Sequence, residues 1–212
     1  MAHVPKSATC ELELKSFWDA LSEAQEPSDA YDVSRWLYVP NTYSEYRYVL
    51  GTIGKKPLIC MGINPSTAAP DDLDNTLKSV ERIALGNGFD SFLMFNVYAQ
   101  RATNPDTMER TCNQILHREN LEALRYLLSC SEQPAVWAAW GAIIEKRDYL
   151  ASCLADEIAV TREFDAKWFT AGAISKKGHP HHPLYLRKDA PLDPFDPEAY
   201  CRDILRVQPQ GV

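Results

Sequence analysis

The chain has 212 residues, 45% of them hydrophobic and 24% charged, which suits one globular domain large enough to close a three-layer core and leaves no room for a second full domain. Its net charge of −7 argues against wholesale non-specific binding to nucleic acid, which calls for a basic face, although a local basic patch remains compatible with it. No apolar run approaches the length of a membrane span and Met1 to Lys6 lacks the apolar core of a signal peptide, so no membrane contact and a cytoplasmic location are expected. The six cysteines (Cys10, Cys60, Cys112, Cys130, Cys153 and Cys201) are scattered without a C-x-x-C pair, which indicates neither a disulfide framework nor a zinc or iron–sulfur site.

Residues 1–30 read as an N-terminal helical extension, because Leu14, Phe17, Trp18 and Leu21 recur at helical spacing between Cys10 and Ala24, ahead of Pro27. Residues 31–212 read as a single α/β domain. Arg35 to Ile53 alternates in pieces (Trp36, Tyr38; Tyr46, Tyr48, Leu50) around Pro40-Asn41 and predicts a two-stranded hairpin. Its aromatics are most simply core or edge packing, with a base-stacking platform as the other reading.

Leu58 to Ile63 has no polar alternation and predicts a strand buried on both faces in the middle of a parallel sheet. Asn64-Pro65 ends it, since proline removes a ladder donor, and Asn64 is thereby placed at the carboxyl end of the strand, where open α/β sheets hold ligands. Asn-Pro-Ser is also an ordinary turn sequence. Asp74-Asn75-Thr76 offers caps to a helix through Leu77, Val80 and Ala84, stopped by Gly86 and Gly88; capping and solvation account for Asp71, Asp72 and Asp74 better than a metal does.

Ser91 to Val97 predicts a second buried strand, with Asn96 near its carboxyl end. Asp106 and Glu109 predict the start of helical sequence running to about Ser129, with Asn120 marking a kink or break. Pro134 to Trp140 and Lys167 to Ala173 predict two further strands, separated by a helix bearing Ile143, Arg147, Leu150 and Leu154 on one face. Strands alternating with helices in this way predict a four-stranded parallel sheet with helices on both faces, a three-layer α/β/α sandwich, preceded by the N-terminal helix and hairpin. Asp196-Pro197 predicts a last helix through Tyr200, Ile204 and Val207.

Between the fourth strand and that helix, Ser175 to Lys188 carries three of the five histidines, His179, His181 and His182, together with Lys176, Lys177, Arg187 and Lys188 and no acid. A sheet-end loop of this composition suits an anion or a developing negative charge; its other reading is a solvated basic loop. Adjacent histidines flanked by prolines, without cysteine or acid, do not form a metal set, and neither a metal nor a cofactor is expected.

Taken in order, these segments resemble the uracil-DNA glycosylase superfamily. Met61-Gly-Ile-Asn-Pro-Ser66 resembles its first motif, closest to the Gly-Ile-Asn-Pro-Gly form of the mismatch-specific and thymine-DNA glycosylases. Phe95-Asn-Val-Tyr-Ala-Gln-Arg-Ala-Thr-Asn-Pro105 resembles the second-strand segment of the bacterial and archaeal enzymes, and His182-Pro-Leu-Tyr185 resembles the His-Pro-Ser-Pro motif that closes the site. The overall spelling, over about residues 35–188, looks most like the bacterial and phage family known as domain of unknown function 1643, which carries no established activity.

The resemblance implies the glycosylase sheet, with its four strands in the order 2-1-3-4. It also implies metal-independent release of a base from DNA or a nucleotide. Asn64 would position the water, Asn96 would hydrogen-bond the base edge, and His182, or alternatively His179, would face the leaving base's oxygen. Gly62, Ile63, Pro65, Ser66, Tyr98, Arg101, His181, Lys177 and Arg187 are the accompanying substrate-binding candidates. A second hypothesis of a different class is a nucleotide- or nucleic-acid-binding module without catalysis, serving a modification, repair or phage-conflict system. A Cys-His hydrolase built on Cys60 is a poor third, because that thiol lies mid-strand.

Overall fold

In the computed structural model, which describes residues 2–208, the chain forms one seven-stranded mixed sheet with helices on both faces. The strands are β1 (Trp36–Val39), β2 (Val49–Thr52), β3 (Pro57–Gly62), β4 (Ser91–Asn96), β5 (Ala135–Ala138), β6 (Lys167–Ala171) and β7 (Leu192–Pro194). Their spatial order is β1-β2-β4-β3-β5-β6-β7. The inner strands β4, β3, β5 and β6 are mutually parallel, with Gly62 opposite Asn96 and Met61 opposite both Phe95 and Ala138.

The helices are α1 (Phe17–Ala24), α2 (Asn75–Gly86), α3 (Gln114–Ser129), α4 (Asp148–Arg162) and the short α5 (Pro197–Tyr200). All six positions of β3 and of β4 are buried, because successive side chains feed opposite cores. Ile59, Met61, Leu93 and Phe95 pack with α1, α3 and α4 on one face, whereas Leu58, Cys60, Phe92 and Met94 pack with Leu77, Val80 and Ile83 of α2 on the other. Each such fully buried side chain contributes about 1.5–3 kcal/mol, so these two strands anchor both layers. Burial also raises the Cys60 thiol well above its ordinary range, which makes it inert as a nucleophile.

The sheet therefore exceeds the four strands expected. The outer edge of β4 would otherwise expose an unpaired row of N–H and C=O groups, and the hairpin covers it, with β2 antiparallel to β4 and to β1. Gly51 makes that approach possible, since a Cβ there would lie 2.1 Å from the Phe92 carbonyl oxygen. On the far edge, Leu192–Pro194 pairs antiparallel with β6.

The N-terminal region also differs in detail. Thr9–Glu11 is a 3-10 turn, and α1 begins only after Ser16, whose Oγ accepts from the Asp19 N–H (3.1 Å). Its buried stripe is Phe17, Ala20, Leu21 and Ala24, which turns Trp18 outward, 52% exposed. The segment is built into the main core: Phe17 is fully buried and its N–H donates to Glu119 Oε2 of α3 at 2.8 Å.

The expected helix from Asp106 resolves into a 3-10 turn at Pro105–Thr107 and α3, which Asn113 caps by accepting from the N–H groups of Ile115 and Leu116. Glu109 instead accepts from the Thr9 backbone and hydroxyl. Asn120 does not break α3. Among the described residues, no helix is long and apolar enough to cross a membrane.

Replacing Gly51 with alanine is expected to destabilise the protein by about 2–3 kcal/mol, because the atoms that its Cβ meets are β4 backbone and cannot swing aside. Urea unfolding checks this; a change below about 0.5 kcal/mol would contradict the described close approach.

Candidate functional site

The carboxyl ends of the parallel strands surround a cavity of about 330 Å³. Gly62, Ile63, Asn64 and Ser66 reach it from the end of β3, and Met94 and Asn96 from β4. Ile143 follows β5, and His182 and Leu184 follow β6. Asp74, Thr76 and Leu77 come from the start of α2, Arg47 from the arm leading into β2, and Ala102, Thr103 and Pro105 from the loop after β4. A larger cleft of about 890 Å³ opens at the amino ends of β3, β5 and β6, where Lys55, Lys56 and Lys167 surround Phe89 and Phe169. Buried polar groups without partners, rather than volume, single out the smaller cavity.

Gly62 and Asn96 face each other across the β3–β4 ladder, which continues past the strands through Val97 N–H to Gly62 O and Tyr98 N–H to Ile63 O, both 2.9 Å. A Cβ at Gly62 would stand 2.5 Å from Met94 Cε and 2.9 Å from Asn96 Oδ1, so only glycine leaves room for the Asn96 amide. Asn96 is 1% exposed, yet neither its Oδ1 nor its Nδ2 has a hydrogen-bond partner. An amide in that state costs roughly 1–3 kcal/mol, and it offers one donor and one acceptor side by side.

Asn64 is oriented by its amide nitrogen, which donates to Ala102 O and, at 3.3 Å, to Pro65 O. Its Oδ1 is left as an acceptor with no partner among the described residues. Ser66 donates to Asp74 Oδ2, while Asp74 Oδ1 caps α2 by accepting from Leu77 N–H at 2.9 Å.

His182 accepts from the Leu184 N–H at Nδ1 (3.3 Å), which places the ring proton of the neutral form on Nε2. Burial, and then the neighbouring His181, lower its pKa, with Asp74 pulling the other way, so the ring is a neutral Nε2–H donor at neutral pH. Gly141, at φ +60°, lies beneath it with a Cβ position 3.5 Å from His182 Cβ.

Arg47 is 1% exposed and donates from Nη1 to Ala68 O at 2.8 Å, while Nε has no partner. Burial, helped by the nearby Arg101, lowers its pKa to about 9, which still leaves it charged at neutral pH.

The other sequence candidates lie outside the cavity lining. His179 is 1% exposed and held at both nitrogens, Nδ1 by Tyr200 OH (2.8 Å) and Nε2 by Glu145 Oε1 (3.1 Å). Lys177 pairs with the same Glu145, Arg187 pairs with Asp189, and His181 Nδ1 donates to His182 O (2.8 Å). Pro65 is buried under the loop, its carbonyl accepting from Ala102 N–H at 3.0 Å. Tyr98 donates to Glu109 and accepts from Asn113 N–H within the α3-side core. Arg101 ties the hairpin to the Asn-Pro-Ser loop through Ser44 O and Ser66 O, and its guanidinium lies 4.3 Å over the Tyr43 ring.

Two residues that sequence reasoning did not place at the site matter here besides Arg47. Asn120 Nδ2 donates to the Asn96 carbonyl oxygen (2.8 Å) and to Glu157 Oε1 (3.3 Å), which fixes the end of β4 from below. Glu157 is fully buried, and desolvation pushes its carboxyl well above the usual range, so it is protonated at neutral pH. An acid and an amide on inward positions of α3 and α4 were the only signal in the sequence. Among the described residues, no three His, Cys, Asp or Glu side chains are grouped to hold a metal ion.

The family described as "Protein of unknown function (DUF1643)" matches residues 47–184, which include every residue named above as lining the cavity. No curated protein and no solved structure matches the chain.

Glu157 makes stability depend on pH in a defined direction. The unfolded chain ionises this carboxyl above its ordinary pKa of 4.5, whereas the folded state keeps it protonated, so the contribution is fully present below that value and is lost as pH rises. Glu157→Gln is expected to gain on the wild type progressively from pH 5 to pH 8 in thermal melts, and parallel pH profiles for the two proteins would contradict a neutral buried acid.

Proposed function

We propose that this chain, which belongs to the DUF1643 family, is an N-glycosidase that releases a damaged or modified base from DNA or from a nucleotide, and that its sheet is a variant of the uracil-DNA glycosylase arrangement. The observation that carries the reading is the buried, unpartnered amide of Asn96, which shares one cavity with the free Oδ1 of Asn64 and the Nε2–H of His182. The parallel order β4-β3-β5-β6, which is the 2-1-3-4 order implied by the resemblance, supports it.

In this mechanism the Asn96 amide takes the donor–acceptor edge of a base turned into the cavity. Asn64 Oδ1 accepts a hydrogen bond from a water and aims that water's lone pair at the anomeric carbon. As the C1′–N bond breaks, its electron pair leaves with the base, and His182 Nε2–H stabilises the negative charge that develops on the base oxygen. The neutral ring suits this task, because a donor that keeps its proton stabilises the oxygen without exchanging charge with it. The water oxygen bonds to C1′, and its lost proton ends on the departing base, so the sum is hydrolysis.

One feature favours a binding module instead. Among the described residues that line the cavity, Asp74 is the only carboxylate, and it is occupied by the α2 cap and by Ser66, which leaves no free general base among them beside Asn64. The two readings separate on turnover.

Oligonucleotides carrying uracil, mismatched thymine or modified pyrimidines, and the free deoxynucleotides, are expected to yield abasic product at the same rate with and without chelator. Asn64→Ala and His182→Ala are each expected to lower kcat/KM about 100-fold or more. Saturable binding without turnover across the panel supports the module, and a strict metal requirement contradicts the proposed chemistry.

A further inference from the structure

The cavity holds a positive charge for which the base-release chemistry has no use. Arg47 is buried to 1% exposure, and among the described residues only its Nη1 has an acceptor, the neutral carbonyl of Ala68. Nε is a buried orphan, and Nη2 has no acceptor among the described residues. The acid that feels its charge, Asp74, is already engaged by Ser66 Oγ and by Leu77 N–H and forms no ion pair with it. Arg101 adds repulsion and donates from Nε and Nη1 to the Ser44 and Ser66 carbonyls, its own Nη2 being left without a partner, but unlike Arg47 it does not line the cavity. A buried guanidinium without a contacting anion is normally neutralised or paired, because desolvating an ion costs several kcal/mol that neutral acceptors do not return.

Building on the nucleotide-pocket reading, we infer that Arg47 is a phosphate-binding residue and that the cavity takes a nucleotide as its phosphate ester rather than a bare nucleoside. The guanidinium fork matches phosphate geometry with its unspent Nε and Nη2 edge, and Arg keeps its charge where Lys would surrender it to burial. The volume of about 330 Å³ sits at the small end of ligand pockets, a size that suits one nucleotide unit. The phosphate can belong to a free nucleoside monophosphate or to a strand whose one nucleotide is turned inward. Asn96 then reads the base while Arg47 reads the ester, which separates specificity from anchoring.

The test is calorimetric binding of deoxynucleosides (the four standard ones and deoxyuridine), their 5′-monophosphates, and short single-stranded oligonucleotides of the same bases. For wild type, the monophosphate or the oligonucleotide is expected to bind about 10–100-fold tighter than the matching nucleoside, with an advantage that falls as salt rises. The arm that gains identifies the source of the phosphate. Arg47→Met is expected to erase the advantage while leaving nucleoside affinity within a few-fold, and Arg47→Lys to keep part of it. Because Arg47 also holds Ala68 O, thermal melts establish that each variant is folded, and the wild-type comparison stands without any variant. Equal affinity for nucleoside and monophosphate overturns the assignment of Arg47 while keeping the pocket reading. Binding of none of the three classes overturns both.

Discussion

The close approach of β3 to β4 at Gly62 and Asn96 is the constraint on which the rest of the site depends. Two fully buried parallel strands end at the same level because their residues are paired in register from Pro57–Ser91 to Gly62–Asn96. At the last pair, the missing Cβ of Gly62 leaves the space that the Asn96 amide occupies. Everything beyond that pair follows the same ladder outward. The Asn-Pro-Ser loop is laced to the segment after β4 by backbone bonds to Gly62 O, Ile63 O and Pro65 O, and Asn64 is turned by the Ala102 carbonyl on that same segment. A shift of β4 by one residue would put Val97 where Asn96 stands and dismantle the cavity.

The polar groups near this point are arranged at a cost to stability. Asn96 lacks partners on both amide atoms, Arg47 carries a charge without a contacting anion, and Glu157 is buried as a neutral acid with Oε2 unpartnered. Natural cores satisfy such groups nearly always; Tyr31 Oη, His117 Nδ1 and Thr170 Oγ1 are also without partners elsewhere in the fold, but those of Asn96 and Arg47 line a cavity at the carboxyl end of a parallel sheet, where a ligand would meet them. The contrast with His179 makes the point. It lies in the same loop as His182 but has both ring nitrogens engaged by Tyr200 and Glu145, as a histidine that holds structure together should. His182 has one nitrogen fixed by the backbone and the other left to donate.

The inner sheet was legible in the sequence because burial on both faces erases polar alternation, and a run such as Leu58 to Ile63 has no other ready explanation. The edges were legible only in part. The hairpin of β1 and β2 could be read from its aromatics around Pro40-Asn41, but not the pairing of β2 with β4, and β7 is three residues ending in Pro194, too short for any pattern. Asp106 and Asn113 are both capping residues. Only packing decides that the first lies in a single 3-10 turn and that the second starts α3. Asn64 and Asn96 could be placed on one rim because strand ends in a parallel sheet converge there. Arg47, Asn120 and Glu157 could not, since an inward-turned polar residue has the same spelling as an outward one and its partner lies far along the chain. His179 and His182 each precede proline, and the difference between them is purely tertiary.

The central claim is that the Asn96 amide is kept unpaired for a ligand rather than for the fold, and the thermal melt of Asn96→Leu with and without a bound deoxynucleotide tests it most directly. An apolar side chain of similar size removes a buried group with no partner, so the variant is expected to melt at or above the wild-type temperature while losing the ligand-induced rise that the wild type shows. A variant that melts well below wild type without ligand, yet keeps that rise, would show that the amide serves the fold and that the cavity is not read through it.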